Sequence, residues 1–248
     1  MSGRVALVTG GGRGIGREAA LLLAAAGARV MIVSRSAAEL KAVGLDYVAA
    51  DLGTAEGCAL AVAETERRLG PIDVLVVNHG IGSAHERLVW EQDPKVWRET
   101  MRINLDGPFE LARLTVGGMC KRGFGRLVFT SSTAGEKAER SGSAYTASKH
   151  GVIGLARAVA QDAGPFGVTS NAVLPGWVRT EMAERSAKTE AERRGISVDK
   201  VWAERAALYP PNRVLEPREV AQVIAFLCSD AAGGVNGEAI TVALGGMW

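Results

Sequence analysis

Short runs of β-branched residues alternate with longer segments rich in alanine and leucine along this chain of 248 residues. Such an alternation predicts repeated strand–helix–strand units, which assemble into a parallel sheet with helices on both faces. We therefore predict an α/β fold with a doubly wound, seven-stranded parallel sheet. The predicted strands are Val5–Thr9, Arg29–Val33, Tyr47–Ala50, Val74–Asn78, Arg126–Thr130, Thr169–Leu174 and Ala239–Val242. The predicted helices lie near Ile15–Ala26, Ala55–Leu69, Val96–Arg122, Ala144–Ala163 and Arg218–Ser229.

The domain organisation follows from the same rhythm, which no internal repeat, Ser/Gly linker or low-complexity segment interrupts. Residues 1–248 are therefore interpreted as a single domain. The one long stretch without a clear strand, residues 176–216, is typical of a functional lid or of an insertion with short helices of its own.

The composition argues against several classes of protein. The formal net charge is +2, from 29 lysine and arginine residues against 27 aspartate and glutamate residues, without a basic run of the kind that binds nucleic acid. No apolar run approaches the roughly 20 residues that cross a bilayer. The apolar run before the first glycines is too short for a signal peptide. We therefore expect a cytoplasmic protein without nucleic-acid or membrane partners.

The cysteines and histidines show no metal-ligand spacing. The three cysteines lie far apart in apolar or helical contexts, which favours core or surface thiols. No metal site is predicted. The residues concerned are Cys58, Cys120, Cys228, His79, His85 and His150.

A glycine cluster follows the first predicted strand and precedes an apolar helix. Glycines in this position permit a tight turn and let backbone N–H groups approach a pyrophosphate, with the positive end of the helix dipole directed at it. The alternative is an ordinary loop with packing glycines. The cluster consists of Gly10, Gly11, Gly12, Arg13, Gly14, Ile15 and Gly16.

The arrangement of Thr9, Gly10, Gly14 and Gly16 resembles the Thr-Gly-x-x-x-Gly-x-Gly loop of the short-chain dehydrogenases/reductases. The resemblance extends over nearly the whole chain, and it implies a single-domain Rossmann fold that binds a nicotinamide dinucleotide. The stretch between Arg35 and Asp51 is shorter than is usual in the family, which implies a short second helix.

Two further segments carry the resemblance along the cofactor site. Asp51-Leu52 follows the third strand, where the family's aspartate contacts adenine. Asn78-His79-Gly80 follows the fourth strand, where the family usually has Asn-Asn-Ala-Gly. Asn78 and Gly80 match that pattern, whereas Val77 and His79 replace two of its four residues.

The choice of nicotinamide cofactor depends on charge near the end of the second strand. An acid there favours NAD, whereas a 2′-phosphate needs a cation. This chain has Ser34 and Arg35 at that position and Arg13 in the glycine loop, so two cations can flank the phosphate. NADPH is therefore favoured over NAD. The alternative is that both arginines are solvated surface residues.

A Tyr-x-x-x-Lys pattern places Tyr145 and Lys149 on one face of a predicted helix. Both match the family's catalytic residues, which also contact the cofactor. Ser132 lies thirteen residues before Tyr145, which is the family's spacing, so it is preferred to Ser131. Asn104 matches the active-site asparagine of the family.

These residue types suit the reduction of a carbonyl group. A phenol ordinarily titrates near pH 10, but the ammonium of Lys149 and an oxidised nicotinamide favour the phenolate, so that Tyr145 exchanges protons near neutrality. Tyr145 would protonate the forming alkoxide while Ser132 hydrogen-bonds the same oxygen. The resemblance implies that Lys149 holds the nicotinamide ribose. It also implies that Asn104 connects Lys149 to solvent through a water.

The segment after the sixth strand completes the predicted cofactor site. Pro175, Gly176, Val178 and Thr180 resemble the family segment that contacts the nicotinamide carboxamide and the phosphates. The last strand resembles the family's closing strand. In relatives that strand and the fourth and fifth helices form tetramer contacts, so the resemblance implies a homotetramer.

The lid and its surroundings offer candidates for substrate contact, although the simplest interpretation of the lid is a pair of solvated helices. Lys121-Arg122 could attract an acidic carrier protein, but a solvated helix end is the simpler interpretation. The candidates for the pocket lining are Trp177, Met182, Trp202 and Tyr209, and those for the entrance are Glu136, Lys137, Glu139 and Arg140.

The sequence therefore predicts an NADPH-dependent reductase of a ketone or 3-oxoacyl carbonyl, resembling the 3-oxoacyl carrier-protein and polyketide ketoreductases. Its partner would be a small carbonyl or alcohol compound, with an acyl thioester among the candidates. Two alternatives stay open: an NAD-linked alcohol dehydrogenase that works in the oxidative direction, and a cofactor-sensing regulator without catalysis.

Overall fold

The computed structural model describes residues 1–82, 87–138 and 140–246. Within these residues seven strands form one parallel sheet in the order β3-β2-β1-β4-β5-β6-β7. The prediction of a doubly wound parallel sheet is confirmed. The strands are β1 Val5–Thr9, β2 Arg29–Ser34, β3 Asp46–Ala49, β4 Val74–Val77, β5 Gly125–Thr130, β6 Val168–Pro175 and β7 Ala239–Val242.

Helices cover both faces of this sheet because successive strand residues point to opposite sides. In β1, Leu7 packs into the core beneath the helices of one face and Val8 into the core of the other. The helices are α1 Gly14–Ala25, α2 Ala37–Val43, α3 Ala55–Leu69, α4 Pro94–Met101, α5 Gly107–Arg122, α6 Ser143–Ala163, α7 Glu181–Arg194, α8 Val198–Ala207 and α9 Pro217–Leu227. Helices α3, α5 and α6 cover one face, and α1, α2 and α9 cover the other.

The prediction of one continuous helix over Val96–Arg122 is wrong. A π-helical turn over Arg102–Asp106 separates α4 from α5. Pro108 explains the break, since it has no N–H to donate to the carbonyl four residues earlier. Instead, the Gly107 N–H donates to the Arg102 carbonyl, five residues earlier. Single π-turns inside helices are frequent at functional sites.

Elsewhere the predicted bounds match the structure, as for β1, β7 and α3, or differ from it by one or two residues. Strand β6 is longer than predicted by one residue at each end, and α2 is the short second helix that the sequence anticipated. The Gly44 C-cap of α2 has a left-handed conformation (φ 81°), which ends that helix after seven residues.

The stretch from residue 176 to 216 forms two helices, α7 and α8, with a small core of their own. Arg205 lies at the centre of this core and is 5% exposed. Its guanidinium stacks 3.6 Å from the Trp177 ring centroid and 5.2 Å from that of Trp202. It also donates to the Ala183 carbonyl at 3.1 Å and to Glu190 at 2.9 Å. The two helices are therefore joined as one unit, which we call the lid.

The two ends of the parallel strands differ in chemistry. Strand order reverses between β1 and β4, and the loops at the carboxyl ends of such neighbours open a crevice that binds ligands. Near the amino-terminal ends of the strands, the Phe124 ring contacts two guanidinium groups, with Arg4 at 3.6 Å and Arg126 at 4.4 Å from the ring centroid. The residues of the candidate site surround the crevice at the carboxyl ends.

Candidate active site

The glycine loop forms a cradle that excludes side chains. Gly10 and Gly14 have positive φ angles of 64° and 52°, which glycine adopts without steric cost. A Cβ at Gly16 would overlap the carbonyl oxygen of Gly10 and the side-chain amide of Asn78. A Cβ at Gly14 would lie 3.3 Å from the Thr180 methyl group, so the base of the lid touches the loop.

The first turn of α1 is open to an anion. Among the described residues no side chain caps this turn, and the turn contains no acidic residue. By contrast, the side chains of Ser36, Thr54 and Thr180 accept hydrogen bonds at the starts of α2, α3 and α7. Free N–H groups at a helix N-terminus beside a glycine cradle suit a pyrophosphate.

The second strand ends beside this cradle. The Ser34 hydroxyl is buried and has no hydrogen-bond partner within the described part of the chain. A Cβ at Gly12 would lie 3.5 Å from that hydroxyl and 3.2 Å from Cβ of Glu39. A buried hydroxyl without a partner carries a desolvation cost, which a bound ribose or phosphate oxygen would relieve.

Arg13 is paired with two carboxylates that the sequence analysis did not anticipate. Its guanidinium lies 3.1 Å from Glu39 and 3.6 Å from Glu181, which begins α7. All three side chains are about two-fifths or more exposed, so the pairs are weak and easily exchanged.

Asp51 follows β3 at the side of the crevice. Its Oδ1 accepts from the Gly53 N–H at 3.1 Å, and its Oδ2 lies 3.3 Å from Arg102. These contacts, the Gly53 hydrogen bond first, hold the pKa of Asp51 below its usual range, and the charge of Arg35 acts in the same direction. The Leu52 side chain is buried in the core.

Asn78 and Gly80 form the floor of the crevice. The Asn78 side chain lies under the glycine loop and accepts a hydrogen bond from the Thr130 hydroxyl at 3.2 Å, which links β4 to β5. A Cβ at Gly80 would lie 3.1 Å from Asn104 Oδ1 and 3.6 Å from Lys149 Nζ. Gly80 therefore lies against both of these side chains.

The two serines after β5 have different environments. The Ser131 hydroxyl is buried and donates to the Lys149 carbonyl at 2.8 Å, so it fastens α6 to the strand end. Ser132 is only partly buried, and its hydroxyl oxygen accepts from the Ala134 N–H at 3.1 Å. That hydroxyl keeps its own proton available as a donor.

Tyr145 and Lys149 lie on the same face of α6. The Lys149 ammonium is 5.6 Å from the Tyr145 ring centroid and donates to the Thr130 carbonyl at 3.0 Å. Burial lowers the pKa of Lys149 from 10.5 to about 8. A cation next to the phenol ring favours the phenolate.

Asn104 is 1% exposed and lies in the π-turn. Its Oδ1 accepts from the Ile81 N–H at 2.8 Å, and its Nδ2 donates to the Ile81 carbonyl at 2.9 Å. Nδ2 also donates to the Ser148 hydroxyl at 3.1 Å, which in turn donates to the Tyr145 carbonyl at 2.7 Å. The sequence analysis missed Ser148, because the Tyr-x-x-x-Lys pattern leaves its position unspecified.

The segment after β6 joins the crevice to the lid. Val178 pairs with Leu215, and the Thr180 hydroxyl caps α7. Pro175 and Val178 have buried side chains, whereas Gly176 is close-packed against the Tyr209 ring.

The expectation that Trp202 and Tyr209 line the substrate pocket is wrong. Tyr209 is 1% exposed, and its hydroxyl accepts from the Trp177 N–H at 2.7 Å. Trp202 belongs to the core of the lid, and its small exposed area borders a separate surface depression with Arg179 and Asp199. Trp177 is partly buried against the same core, where alanines leave room for these rings.

Met182 remains the candidate for the pocket lining. It is 40% exposed, and a Cβ at Gly82 would lie 3.6 Å from its sulfur. Among the entrance candidates, Glu136 and Arg140 are exposed and Lys137 is partly buried. Glu139 and His85 lie outside the described residues.

The described residues therefore fit a dinucleotide. The glycine cradle, the uncapped turn of α1 and the unpartnered Ser34 hydroxyl surround one end of the crevice, and Tyr145 and Lys149 stand at the other. Within the same residues no group of three or more His, Cys, Asp or Glu side chains is placed to hold a metal ion, and no helix has the length and apolarity of a membrane span.

Comparisons with known proteins show the family and the fold. A family model described as enoyl-(acyl carrier protein) reductase matches residues 10–247. An acetoacetyl-CoA reductase of Rhizobium meliloti (strain 1021) is 37% identical over 244 residues, which are 96% of each protein. The crystal structure of levodione reductase has a TM-score of 0.94 at 32% identity and covers 99% of this chain and 98% of its own. A variant of actinorhodin polyketide ketoreductase, solved with NADPH, has a TM-score of 0.90 at 33% identity, with 98% of each chain covered.

Proposed function

The chain belongs to the short-chain dehydrogenase/reductase family, and from this premise we propose that it uses NADPH to reduce the ketone of a 3-oxoacyl thioester, or of a similar small compound, to a secondary alcohol. The single observation that carries the proposal is the buried ammonium of Lys149 beside the ring of Tyr145, at the carboxyl end of β5. The name of the acetoacetyl-CoA reductase relative supports the substrate class, and the NADPH-bound ketoreductase supports the cofactor.

The proposed roles follow from the contacts of each side chain. A bound nicotinamide supplies the hydride. Tyr145 gives its hydroxyl proton to the substrate oxygen, so that the phenol O–H bond breaks as the alcohol O–H bond forms. Lys149 favours the resulting phenolate by its charge.

Ser132 and Asn104 complete the proposed chemistry. The Ser132 hydroxyl donates to the substrate oxygen and stabilises the negative charge that develops there. Asn104, held by Ile81 and Ser148, keeps a polar path open beside Lys149 through which a proton returns from solvent.

The experiment follows nicotinamide absorbance with acetoacetyl-CoA, crotonyl-CoA and a simple ketone, each with NADPH and with NADH. We expect turnover of acetoacetyl-CoA with NADPH. Consumption of crotonyl-CoA alone would assign the chain to reduction of a carbon–carbon double bond. Tight cofactor binding without any turnover would indicate a regulator.

Tyr145→Phe tests the proton donor, with Tyr47→Phe on the distant strand β3 as the matched control. We expect Tyr145→Phe to lower kcat by at least about 10²-fold, because general acid catalysis contributes that much. NADPH affinity should change little, since the ring remains in place. Full activity in Tyr145→Phe would remove the assignment.

One observation favours a second candidate, an NAD-linked dehydrogenase that works in the oxidative direction. Glu39 lies beside Ser34 and Gly12 and pairs with Arg13, one of the two cations expected to flank a 2′-phosphate. If a phosphate displaces Glu39, Glu39→Gln should tighten NADPH binding by roughly threefold to tenfold, because a repulsive charge is removed. NADH binding, measured by fluorescence titration, should not change. An enzyme that binds NADH more tightly than NADPH in both forms would support the second candidate.

A further inference from the structure

His79 is a buried polar group that the proposed chemistry does not use. It follows β4 and Asn78, at a position where the sequence departs from its family, and its ring lies between β1 and the π-turn. Nδ1 is 2.8 Å from the Thr9 hydroxyl. On the other side, a Cβ at Gly107 would lie 3.1 Å from Nε2. The ring therefore spans the space between the strand that begins the glycine loop and the turn that carries Asn104.

The hydrogen bonds of Thr9 determine which ring nitrogen carries the proton. The Thr9 oxygen already accepts from the Asn78 N–H at 2.9 Å and from the His79 N–H at 3.2 Å. A hydroxyl has two lone pairs and one proton, so its remaining capacity is that of a donor. Nδ1 at 2.8 Å is closer than the other acceptor, the Val76 carbonyl at 3.3 Å. Nδ1 therefore accepts, and in the neutral ring the proton lies on Nε2.

The environment of the ring keeps it neutral. Burial, and second the charge of Lys149, lower the pKa of His79 from 6.5 to about 4. Nε2 is shielded from solvent, and among the described residues it makes no hydrogen bond of good geometry. The backbone of Ile103 nevertheless acts on the ring in the direction that favours protonation, as a carbonyl oxygen near an N–H does.

Ile103 has a carbonyl group that the helix does not satisfy. In an α-helix it would accept from the Gly107 N–H, but that N–H donates to the Arg102 carbonyl. In a continued π-helix it would accept from residue 108, which is a proline without an N–H. The π-turn therefore leaves a buried acceptor opposite a buried donor, and an unpaired group of either kind is costly.

We propose that His79 is a positioning residue whose ring bridges the Thr9 hydroxyl and the Ile103 carbonyl, and thereby holds the π-turn so that Asn104 is presented to Lys149. Asn104 is the residue after Ile103, and its amide contacts Ile81 and Ser148 within 3.1 Å. A shift of the turn would break these contacts. The kinetic part of this inference rests on the proposed function, whereas the bridge itself does not.

The bridge is tested first by the protonation state of the ring. In protein labelled with ¹⁵N-histidine, His85→Gln and His150→Gln together leave His79 as the single histidine. We expect long-range ¹H–¹⁵N correlations to show a neutral Nε2–H ring at neutral pH. A ring protonated on Nδ1, or a doubly protonated ring, would overturn the proposal. This measurement needs neither cofactor nor turnover.

Three variants then separate the two halves of the bridge. In His79→Gln the side-chain amide can still donate a hydrogen bond to the Ile103 carbonyl. In His79→Asn the shorter side chain can accept a hydrogen bond from Thr9 but does not reach Ile103. His79→Ala removes both hydrogen bonds. We expect kcat to fall about tenfold in the Asn and Ala variants, as when a catalytic group is slightly misplaced, and to recover in the Gln variant. KM and NADPH affinity should stay near those of the parent protein.

The outcomes separate this inference from the proposed function. A folded His79→Ala with the parental kcat, or a Gln variant no better than Ala, would overturn the positioning role. If the Ala variant does not fold, the protonation state of the ring and the comparison of the Gln variant with the Asn variant test the positioning role. If the parent protein itself does not turn over, the proposed function fails while the ¹⁵N spectrum still tests the bridge.

Discussion

The two adjacent serines show how neighbouring residues of one type take different tasks. Ser131 donates to a backbone carbonyl in the interior, whereas Ser132 is only partly buried at the crevice. Spacing relative to Tyr145 predicts that Ser132 is the serine of the candidate site. It could not predict that the other fastens α6 to β5, because that contact depends on packing.

Substituting each serine by alanine should separate these tasks. Ser132→Ala should lower kcat by about 10²-fold, as loss of an oxyanion donor does, with little change in the free energy of unfolding. Ser131→Ala should lower the free energy of unfolding by about 1 kcal/mol, because a buried hydrogen bond is lost. Steady-state kinetics and urea denaturation of both variants test this. The reverse pattern would assign the site to Ser131.

The burial of Lys149 makes the free energy of unfolding depend on pH. Its pKa of about 8 in the folded protein lies below the ordinary value of 10.5, so between these values the unfolded chain binds more protons than the folded one. Burial of the ammonium therefore opposes folding below about pH 8, and this opposition is relieved as the pH rises towards 10.5.

Lys149→Met should consequently be stabilising at neutral pH, and its advantage should shrink at alkaline pH by up to about 3 kcal/mol. Urea denaturation of both proteins across this range measures the difference. Lys41→Met is the control, since it removes a lysine from an exposed position. An advantage that grows with pH would contradict the burial argument.

At the scale of elements, the sequence was informative where a pattern is local. The strands were predicted within a residue at each end because β-branched runs are bounded by glycine or by helical segments. The π-turn at Arg102–Asp106 was not predicted, because the apolar periodicity continues through it and only Pro108 marks the change in hydrogen bonding. The pairing of Arg13 with Glu181 was equally hidden, since 168 residues separate the two and both are exposed.

The glycine loop gives a prediction for its element. Gly16→Ala should abolish NADPH binding and destabilise the protein, because the added Cβ would overlap the Gly10 carbonyl. Gly234→Ala is the matched control, since Gly234 is exposed outside the helices and a Cβ there meets nothing within 4 Å. That variant should bind NADPH as the parent protein does and keep its thermal stability. Fluorescence titration and thermal unfolding measure both effects, and unchanged NADPH binding in Gly16→Ala would contradict the cradle.

The lid shows the limit of arguing from side-chain type. Aromatic residues in a lid suggested a substrate pocket, but Trp202 and Tyr209 stabilise the lid itself. Arg205 stacks against Trp177 and Trp202, so the rings that were expected to contact a substrate contact a buried cation. Alanine spacing in α7 indicated a helix, yet the partners of that helix became visible only in three dimensions.

At the scale of the whole molecule, we propose the homotetramer that the family resemblance implies. Helices α4 and α5, which together replace the predicted fourth helix, expose large apolar side chains, with Trp97 39% and Phe109 48% exposed. The resemblance implies contacts between subunits along these helices and along α6, the predicted fifth helix. Burying such side chains between subunits would contribute to association.

Light scattering after size exclusion should give the mass of a tetramer. Phe109→Asp should reduce it to a smaller species, because a charge would be buried in the contact. Leu60→Asp, on α3 and 47% exposed, is the control and should leave the tetramer intact. A monomeric parent protein would contradict the proposal.

The described strands of this sheet are all parallel. The stack of Phe124 with Arg4 and Arg126 lies near the end of the sheet at which these strands begin. The candidate site lies at the opposite end of these strands. A fluorophore or a solid support coupled near this stack would therefore leave the entrance for reactants unobstructed, and an immobilised preparation should keep the Michaelis constant of the enzyme in solution.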